Sequence, residues 1–323
     1  MTQEEKSIQV LAFGGGANNW QAAINARLPD VPVTVRKNRS DLTGEFANVN
    51  CLVGFNIPDS LFDQLPKLEW IQCMSVGVDK LTGNPRIPAH VRITNTQRLY
   101  GDAIAEYVIW AMLTLSRRFH TMLYNQAARK WQQVFGDTVS GKTIGIVGVG
   151  DVGRNVAERV TALHMRTIGF VKNEEQAAEV RDMVDEVVLI EKLAEHVAEL
   201  DTLVLCVPLT SATSGLVDRN IVQRMKRSAI LINVARAGLI DDAAVIDALK
   251  TNRIAGAAMD VFPKEPLPRW SRLWKMKNLL VTPHTSAMTS DYKKRVADLL
   301  SDNVMRFVDG RPLRNEIDRS IGY

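Results

Sequence analysis

Short apolar runs alternate along the first third of the chain with stretches whose apolar positions fall at helical spacing. Ile8–Phe13, Val31–Val35, Val53–Phe55, Trp70–Met74 and Val91–Thr94 read as strands, and Trp20–Leu28 and Ser60–Leu65 as helices. Alternation at this spacing predicts a parallel sheet with helices on its faces. From Asp102 to Phe119 the pattern changes to one long amphipathic helix, with Ala103, Ala105, Val108, Ile109, Met112 and Leu113 apolar. A second αβ series starts at Thr143, with strands at Thr143–Val147, Thr167–Phe170, Thr202–Val207, Ala229–Asn233, Ala257–Asp260 and Leu279–Thr282. The last helix, Ser290–Val308, lies beyond the final strand and is expected to return to the first domain. The expectation is an α/β protein of two doubly wound parallel-sheet domains. The first is discontinuous, residues 1–101 with 287–323, and the second, 102–286, is inserted in it.

Composition narrows the function. A chain of 323 residues has room for two cores, and 46% hydrophobic with 24% charged residues is ordinary for a globular protein. The formal charge is only +4 and the Lys and Arg are scattered, so neither nucleic acid nor membrane is an expected partner. The start, MTQEEKSIQV, is polar and does not read as a secretory signal. The longest apolar stretch, Ala103–Leu115, is too short for a bilayer and is interrupted by Glu106. Cys51, Cys73 and Cys206 are far apart within apolar runs and read as buried free thiols, which fits a cytoplasmic protein. No metal-ligand spacing appears among the His and Cys residues.

The segment Lys142–Arg154, KTIGIVGVGDVGR, carries the sharpest chemistry. A β-branched strand runs into Gly148-x-Gly150-x-x-Gly153 and then into a helical pattern. Gly148 permits the tight turn, Gly150 lets the backbone approach a pyrophosphate, and Gly153 lets helix and strand pack closely. The phosphates would sit on the free N–H groups opening the helix. Three later strands of the series end near charged residues. Arg236 follows the strand ending at Asn233, Glu265 lies in the Pro-rich loop after Asp260, and His284 follows Thr282 and Pro283. Ligands of open α/β sheets bind outside such strand ends. Arg offers a planar fork to a carboxylate, although Arg236 paired with Asp241 or Asp242 is the alternative. Together the three residue types serve anion binding, histidine orientation and proton transfer.

On these motifs the chain resembles the D-isomer-specific 2-hydroxyacid dehydrogenases over nearly its whole length. The resemblance rests on GVGDVGR at 148–154, NVARAGLID at 233–241, MDVFPKEPLP at 259–268 and TPHTSA at 282–287, with SVGVDKL at 75–81 and GDAIAEYVIWAML at 101–113 in support. WIQCMSVGVD, RLYGDAIAEY and DRSIGY look most like the glyoxylate/hydroxypyruvate reductase branch. The resemblance implies a Rossmann nucleotide-binding domain inserted in a discontinuous flavodoxin-like substrate domain, and a homodimer in which the Asp102–Phe119 helix takes part. It implies reduction of small 2-oxo acids such as glyoxylate and hydroxypyruvate to D-2-hydroxy acids. The substrate carboxylate would meet Arg236 and the N–H groups of Val76 and Gly77. His284 would bond the oxo oxygen and deliver the proton, and Glu265 would hold the other imidazole nitrogen. Gly148, Gly150, Asp151, Val152, Gly153 and Arg154 would meet the cofactor, as would Pro208, Thr210, Thr213, Val234, Ala235 and Ser286, with Asp260 beside the nicotinamide carboxamide. Formate dehydrogenases of the superfamily place Gln where this chain has Glu265, which disfavours formate. A D-lactate or phosphoglycerate dehydrogenase is the alternative within the class, and a nucleotide-sensing binding protein of the same fold the alternative outside it. With so little sequence after the last helix, the regulatory domain of longer phosphoglycerate enzymes is not expected.

The chain departs from NAD-preferring members at one informative place. The second strand of the nucleotide domain ends at Val171 and Lys172, where those members have an acid for the ribose hydroxyls. NADP(H) is therefore favoured, with Lys172 and Arg154 near the 2′-phosphate. NAD(H), with Glu174 or Glu175 reaching the ribose, is the alternative. Trp131, Trp270 and Trp274 are read as packing residues, with a pocket role the alternative for Trp274, whose region the resemblance puts near the cleft or the subunit boundary; Arg98, Leu99 and Tyr100 are candidates for selecting the substrate side chain. The Phe13-Gly14-Gly15-Gly16 turn lacks phosphate-loop spacing.

Overall fold

The computed structural model describes residues 8–319; most of the DRSIGY motif and residues 1–7 lie outside the described residues. The chain forms two compact units. One takes in the chain up to Leu99 and again from Thr289 onward, and the other is Tyr100–Met288.

The first unit begins with β1 (Val10–Phe13), α1 (Ala17–Asn25), β2 (Val33–Arg36), β3 (Cys51–Gly54), the single turn α2 (Asp59–Phe62), β4 (Trp70–Cys73), the single turn α3 (Asp79–Thr82) and β5 (Arg92–Thr94). All pairings are parallel, in the order β2-β1-β3-β4-β5. The central strands β1, β3 and β4 are buried throughout, and so read as continuous apolar runs rather than as alternation. Behind the sheet Leu11, Leu52, Leu61, Ile71 and Ile93 form a core from which water is excluded.

The second unit opens with α4 (Gly101–Ser116) and α5 (Phe119–Ala127). The expected helix ends three residues early, at Ser116, because Arg118 adopts a left-handed conformation (φ 53°), and α5 is an addition to the expected set. There follow β6 (Thr143–Val147), α6 (Asp151–Ala162), β7 (Arg166–Val171), α7 (Glu174–Val180), β8 (Glu186–Leu189), α8 (Leu193–His196), β9 (Thr202–Leu205), α9 (Arg219–Arg224), β10 (Ile230–Asn233), α10 (Asp242–Lys250), β11 (Gly256–Met259) and β12 (Leu279–Val281). These strands make a parallel seven-stranded sheet in the order β12-β11-β10-β9-β6-β7-β8. Strand order reverses between β9 and β6, so the loop after β6 opens at the switch point where such sheets bind ligands. Strand β8 is an addition to the expected set. Its EVVL pattern is mostly half-buried at the sheet edge, so it lacks the apolar run that marks the central strands.

The last helix, α11 (Tyr292–Val308), packs on α1 of the first unit. The Ser301 hydroxyl donates to Ala23 O (2.8 Å). Asn303 Nδ2 donates to Gln72 Oε1 (3.0 Å), and that oxygen also accepts from Thr94 Oγ1 (2.9 Å). Phe307 stacks on Trp70, with ring centroids 5.3 Å apart. These buried contacts with β4 and β5 are why the chain returns to its first unit.

Candidate active site

The site is built on the carboxyl ends of β10, β11 and β12, which are neighbours in register: Asn233 pairs with Met259, and Met259 with Val281. Asn233 is fully buried and turns the chain after β10. Its Oδ1 accepts from Ala235 N (3.1 Å) and its Nδ2 donates to Arg236 O (2.9 Å). Arg236 thus starts from a fixed backbone, and its Nη1 donates to Ala235 O (2.7 Å).

Past β11, Asp260 is completely buried. Its Oδ1 accepts from the Thr282 hydroxyl (2.6 Å) and Thr285 N (2.8 Å), and its Oδ2 from Ser286 N (2.9 Å). Its carbonyl accepts from His284 N (2.9 Å). The carboxylate thereby holds the 282–286 turn in place. A buried carboxylate needs such donors, since an uncompensated one would cost several kcal/mol. The turn carries His284 in a left-handed conformation (φ 53°). Its Nδ1 lies 2.8 Å from Glu265 Oε2, and Glu265 Oε1 accepts from Phe262 N (2.9 Å). Because an ionised carboxylate can only accept, Nδ1 carries a hydrogen, and Nε2 is the nitrogen left for a substrate. The His284 side chain is 51% exposed, so that nitrogen can be reached.

Tyr107 of α4 reaches the same turn, its hydroxyl 2.7 Å from Thr282 Oγ1. Burial, reinforced by the charge of Asp260, pushes its phenol up to about 12, so it stays protonated. Neither Tyr107 nor Thr282 stood out as a site residue in the sequence.

The glycine loop closes the switch point. Gly148 takes φ +91°, which side chains resist, and its N–H donates to Phe170 O (2.9 Å). A Cβ on Gly153 would collide with the Gly148 carbonyl. Gly150 caps α6 without any side-chain hydrogen bond, and a Cβ there would project into open space. A backbone cradle with uncapped N–H groups and no side chain in front of it fits a pyrophosphate. Asp151 and Val152 form the first turn of α6, half-buried. The Arg154 guanidinium is tied to Val149 O (3.2 Å) and faces Glu179 (3.5 Å). Lys172 follows buried Val171 on the exposed loop to α7, and its N–H donates to Gln176 Oε1 (3.1 Å). After β9, the buried Thr213 hydroxyl accepts from Thr210 N (2.8 Å) and donates to Pro208 O (2.7 Å). Thr213 therefore shapes the 208–213 loop with its hydroxyl turned inward. Val234 is buried, next to half-buried Ala235.

Val76 and Gly77 follow β4 in the first unit. Asn95 Nδ2 donates to Val76 O (2.7 Å) and Ser75 Oγ to Gly77 O (2.8 Å), so both carbonyls are held and the turn is fixed. Among the described residues no His, Cys, Asp and Glu cluster could hold a metal, and no helix is long and apolar enough to cross a membrane. The tryptophans depart from expectation: Trp131 is 101% exposed, Trp270 82% and Trp274 50%. None of the three is buried in a core of its own chain.

Residues 109–286 match the D-isomer specific 2-hydroxyacid dehydrogenase, NAD binding domain family. The chain belongs to this family. A glyoxylate reductase of Korarchaeum cryptofilum is 30% identical over 82% of this chain and 80% of its own length. Among solved structures, a D-isomer specific 2-hydroxyacid dehydrogenase of Xanthobacter autotrophicus Py2 in complex with NADPH and MES is 28% identical, with TM-score 0.84 over 98% of this chain and 100% of that one. An NADPH-dependent glyoxylate/hydroxypyruvate reductase of Sinorhizobium meliloti, in complex with NADP and sulfate, is 25% identical, with TM-score 0.86 over 98% and 100%. As a 2-hydroxyacid dehydrogenase this protein is an NAD(P)-dependent oxidoreductase of two parallel-sheet α/β domains.

Proposed function

We propose that this 2-hydroxyacid dehydrogenase reduces small 2-oxo acids, glyoxylate and hydroxypyruvate first, to D-2-hydroxy acids, with NADPH preferred. The observation that carries the reading is the 2.8 Å bond from His284 Nδ1 to Glu265, on a turn at the same sheet edge as Arg236 and two strands from it. When bound, a reduced nicotinamide supplies the hydride that C2 of the oxo acid receives. Arg236 binds the substrate carboxylate through its guanidinium fork, and the Val76 and Gly77 N–H groups belong to the same proposal. His284 Nε2 donates the proton to the oxo oxygen, completing the two-electron reduction. The proton leaves Nε2 of the doubly protonated imidazolium, whose charge faces the Glu265 carboxylate; the ring that remains is neutral and still donates Nδ1–H to Glu265.

Several cofactor contacts belong to this reading: Gly148, Gly150, Asp151, Val152, Gly153 and Arg154 of the glycine loop, Lys172, Pro208, Thr210, Thr213, Val234, Ala235, Asp260 and Ser286. Support for NADPH comes from Lys172 after buried Val171, positions where the chain has no carboxylate to repel a 2′-phosphate, and from the NADP-bound relatives. A homodimer is part of the reading. Trp110, Phe119, Leu123, Tyr124, Trp131 and Phe135 are exposed on α4, α5 and the segment after them, an apolar surface that a second copy would cover.

The test is loss of NADPH absorbance with each oxo acid, NADH in parallel. Faster turnover of glyoxylate and hydroxypyruvate with NADPH is the expected result. Preference for pyruvate or phosphohydroxypyruvate would move the substrate to another branch. Tight NADPH binding with no turnover on any oxo acid would favour a nucleotide-sensing protein.

A further inference from the structure

We propose that Tyr107 and Thr282 are positioning residues for the proton donor, acting through buried Asp260 to hold the His284 turn. This rests on the reading of His284 as the donor. Thr282 has one hydroxyl hydrogen, and it points to Asp260 Oδ1, which can only accept (2.6 Å). The Tyr107 hydroxyl, 2.7 Å from the same Thr282 oxygen, must therefore be the donor to Thr282. The result is a directed chain, Tyr107 to Thr282 to Asp260, and its last member grips the turn at three backbone N–H groups: His284 through its carbonyl, Thr285 and Ser286 through its carboxylate.

What this chain adds is an anchor outside the loops. Asp260 and Thr282 both lie just past strand ends, each held to the sheet by one backbone bond, Asp260 N to Asn233 O (3.1 Å) and Thr282 N to Met259 O (3.1 Å). Tyr107 stands in the middle of α4, whose buried face packs against α6, β10 and β11. The phenol thus ties the turn to a rigid helix. The turn needs such a tie, because His284 sits in a left-handed conformation (φ 53°) that a non-glycine residue resists. If the tie is lost, the backbone can relax toward an ordinary conformation and swing the imidazole off Glu265. Displacement of a reacting group by about 1 Å is enough to slow turnover strongly.

The role differs from simple packing in what it predicts. Tyr107→Phe keeps the ring and removes only the hydrogen bond, so kcat should fall roughly 3- to 10-fold with NADPH affinity unchanged. Thr282→Val breaks both links and should lower kcat further, whereas Thr282→Ser restores the hydroxyl and should recover most of the rate. The double variant Tyr107→Phe/Thr282→Val should be no slower than Thr282→Val alone, since both act through one chain. Independent, multiplied losses would overturn the proposal, as would Tyr107→Phe at the wild-type kcat.

A readout without turnover separates this proposal from the proton-donor reading. The chain has five His, so the ring nitrogens are resolvable by NMR after 15N-histidine labelling, and His284→Ala assigns the resonance. Tyr107→Phe should shift or broaden the His284 ring signals and leave the other four unmoved. Unchanged His284 signals would overturn the positioning role. Perturbed His284 signals, with His284→Ala still fully active, would keep the role and discard the proton-donor reading.

Discussion

The two edges of the seven-stranded sheet are built from similar residues and do different things. At the amino edge, acids tie strand starts together. Asp201 Oδ2 accepts from Thr143 N (3.0 Å) and pairs with Lys226 (3.0 Å). Asp185 Oδ2 accepts from both Thr167 N (2.7 Å) and the Thr167 hydroxyl (2.8 Å). Arg166 is clasped between Glu186 and Glu199, and Glu199 also bonds His196 Nδ1 (2.8 Å). The donors and acceptors at that edge are turned on one another. At the carboxyl edge the same chemistry is left one bond short. Asp260 is consumed in holding a turn, but that turn presents His284 with a second ring nitrogen uncommitted. Identical side-chain types stabilise where their bonding is closed and are available for chemistry where it is left open.

The comparison breaks most sharply at His284. His284→Ala should lower kcat roughly 10²- to 10⁴-fold while leaving NADPH affinity and the melting temperature unchanged. Arg236→Lys keeps the charge and loses the bidentate fork; kcat/KM for hydroxypyruvate should drop roughly tenfold or more, mostly through KM. Glu265→Gln preserves an acceptor for Nδ1 without its charge, and a loss of about tenfold in kcat is expected from steady-state assays. Lys172→Asp should raise the KM for NADPH about fivefold and change that for NADH little, the modest size reflecting an exposed charge.

The amino edge supplies the smallest effect and the opposite phenotype. Both Thr167 bonds hold the Asp185 carboxyl below its usual value of 3.8. A depressed carboxyl adds stability above its unfolded-state pKa and loses it as pH falls through the lower folded value. Asp185→Asn should therefore cost at most about 1 kcal/mol near neutral pH, and the difference from wild type should shrink below about pH 4. Denaturant titrations at several pH values measure this, and kcat should not move.

Much of this was legible from residue order. Buried parallel strands announce themselves as apolar runs, and a glycine fingerprint set between strand and helix points to a dinucleotide. Arg236, Glu265 and His284 could be placed after strand ends because each follows such a run. Edge strand β8 was not legible, since a half-buried EVVL segment has no run to show. Nor was α5, a mostly exposed helix whose one buried residue is the polar Asn125. Apolarity marks Trp131 for burial without saying whether its own chain provides the cover, and it does not. The Tyr107–Thr282 bond spans 175 positions, a coincidence that exists only in three dimensions.

The most direct test sets His284→Ala beside Asp185→Asn, with hydroxypyruvate reduction by NADPH and thermal melting recorded for each. The account predicts a double dissociation: turnover collapses in the first with its melt unchanged, and the second melts earlier with its turnover intact. An active His284→Ala enzyme would contradict it, because the carboxyl edge would then hold no proton donor at that position.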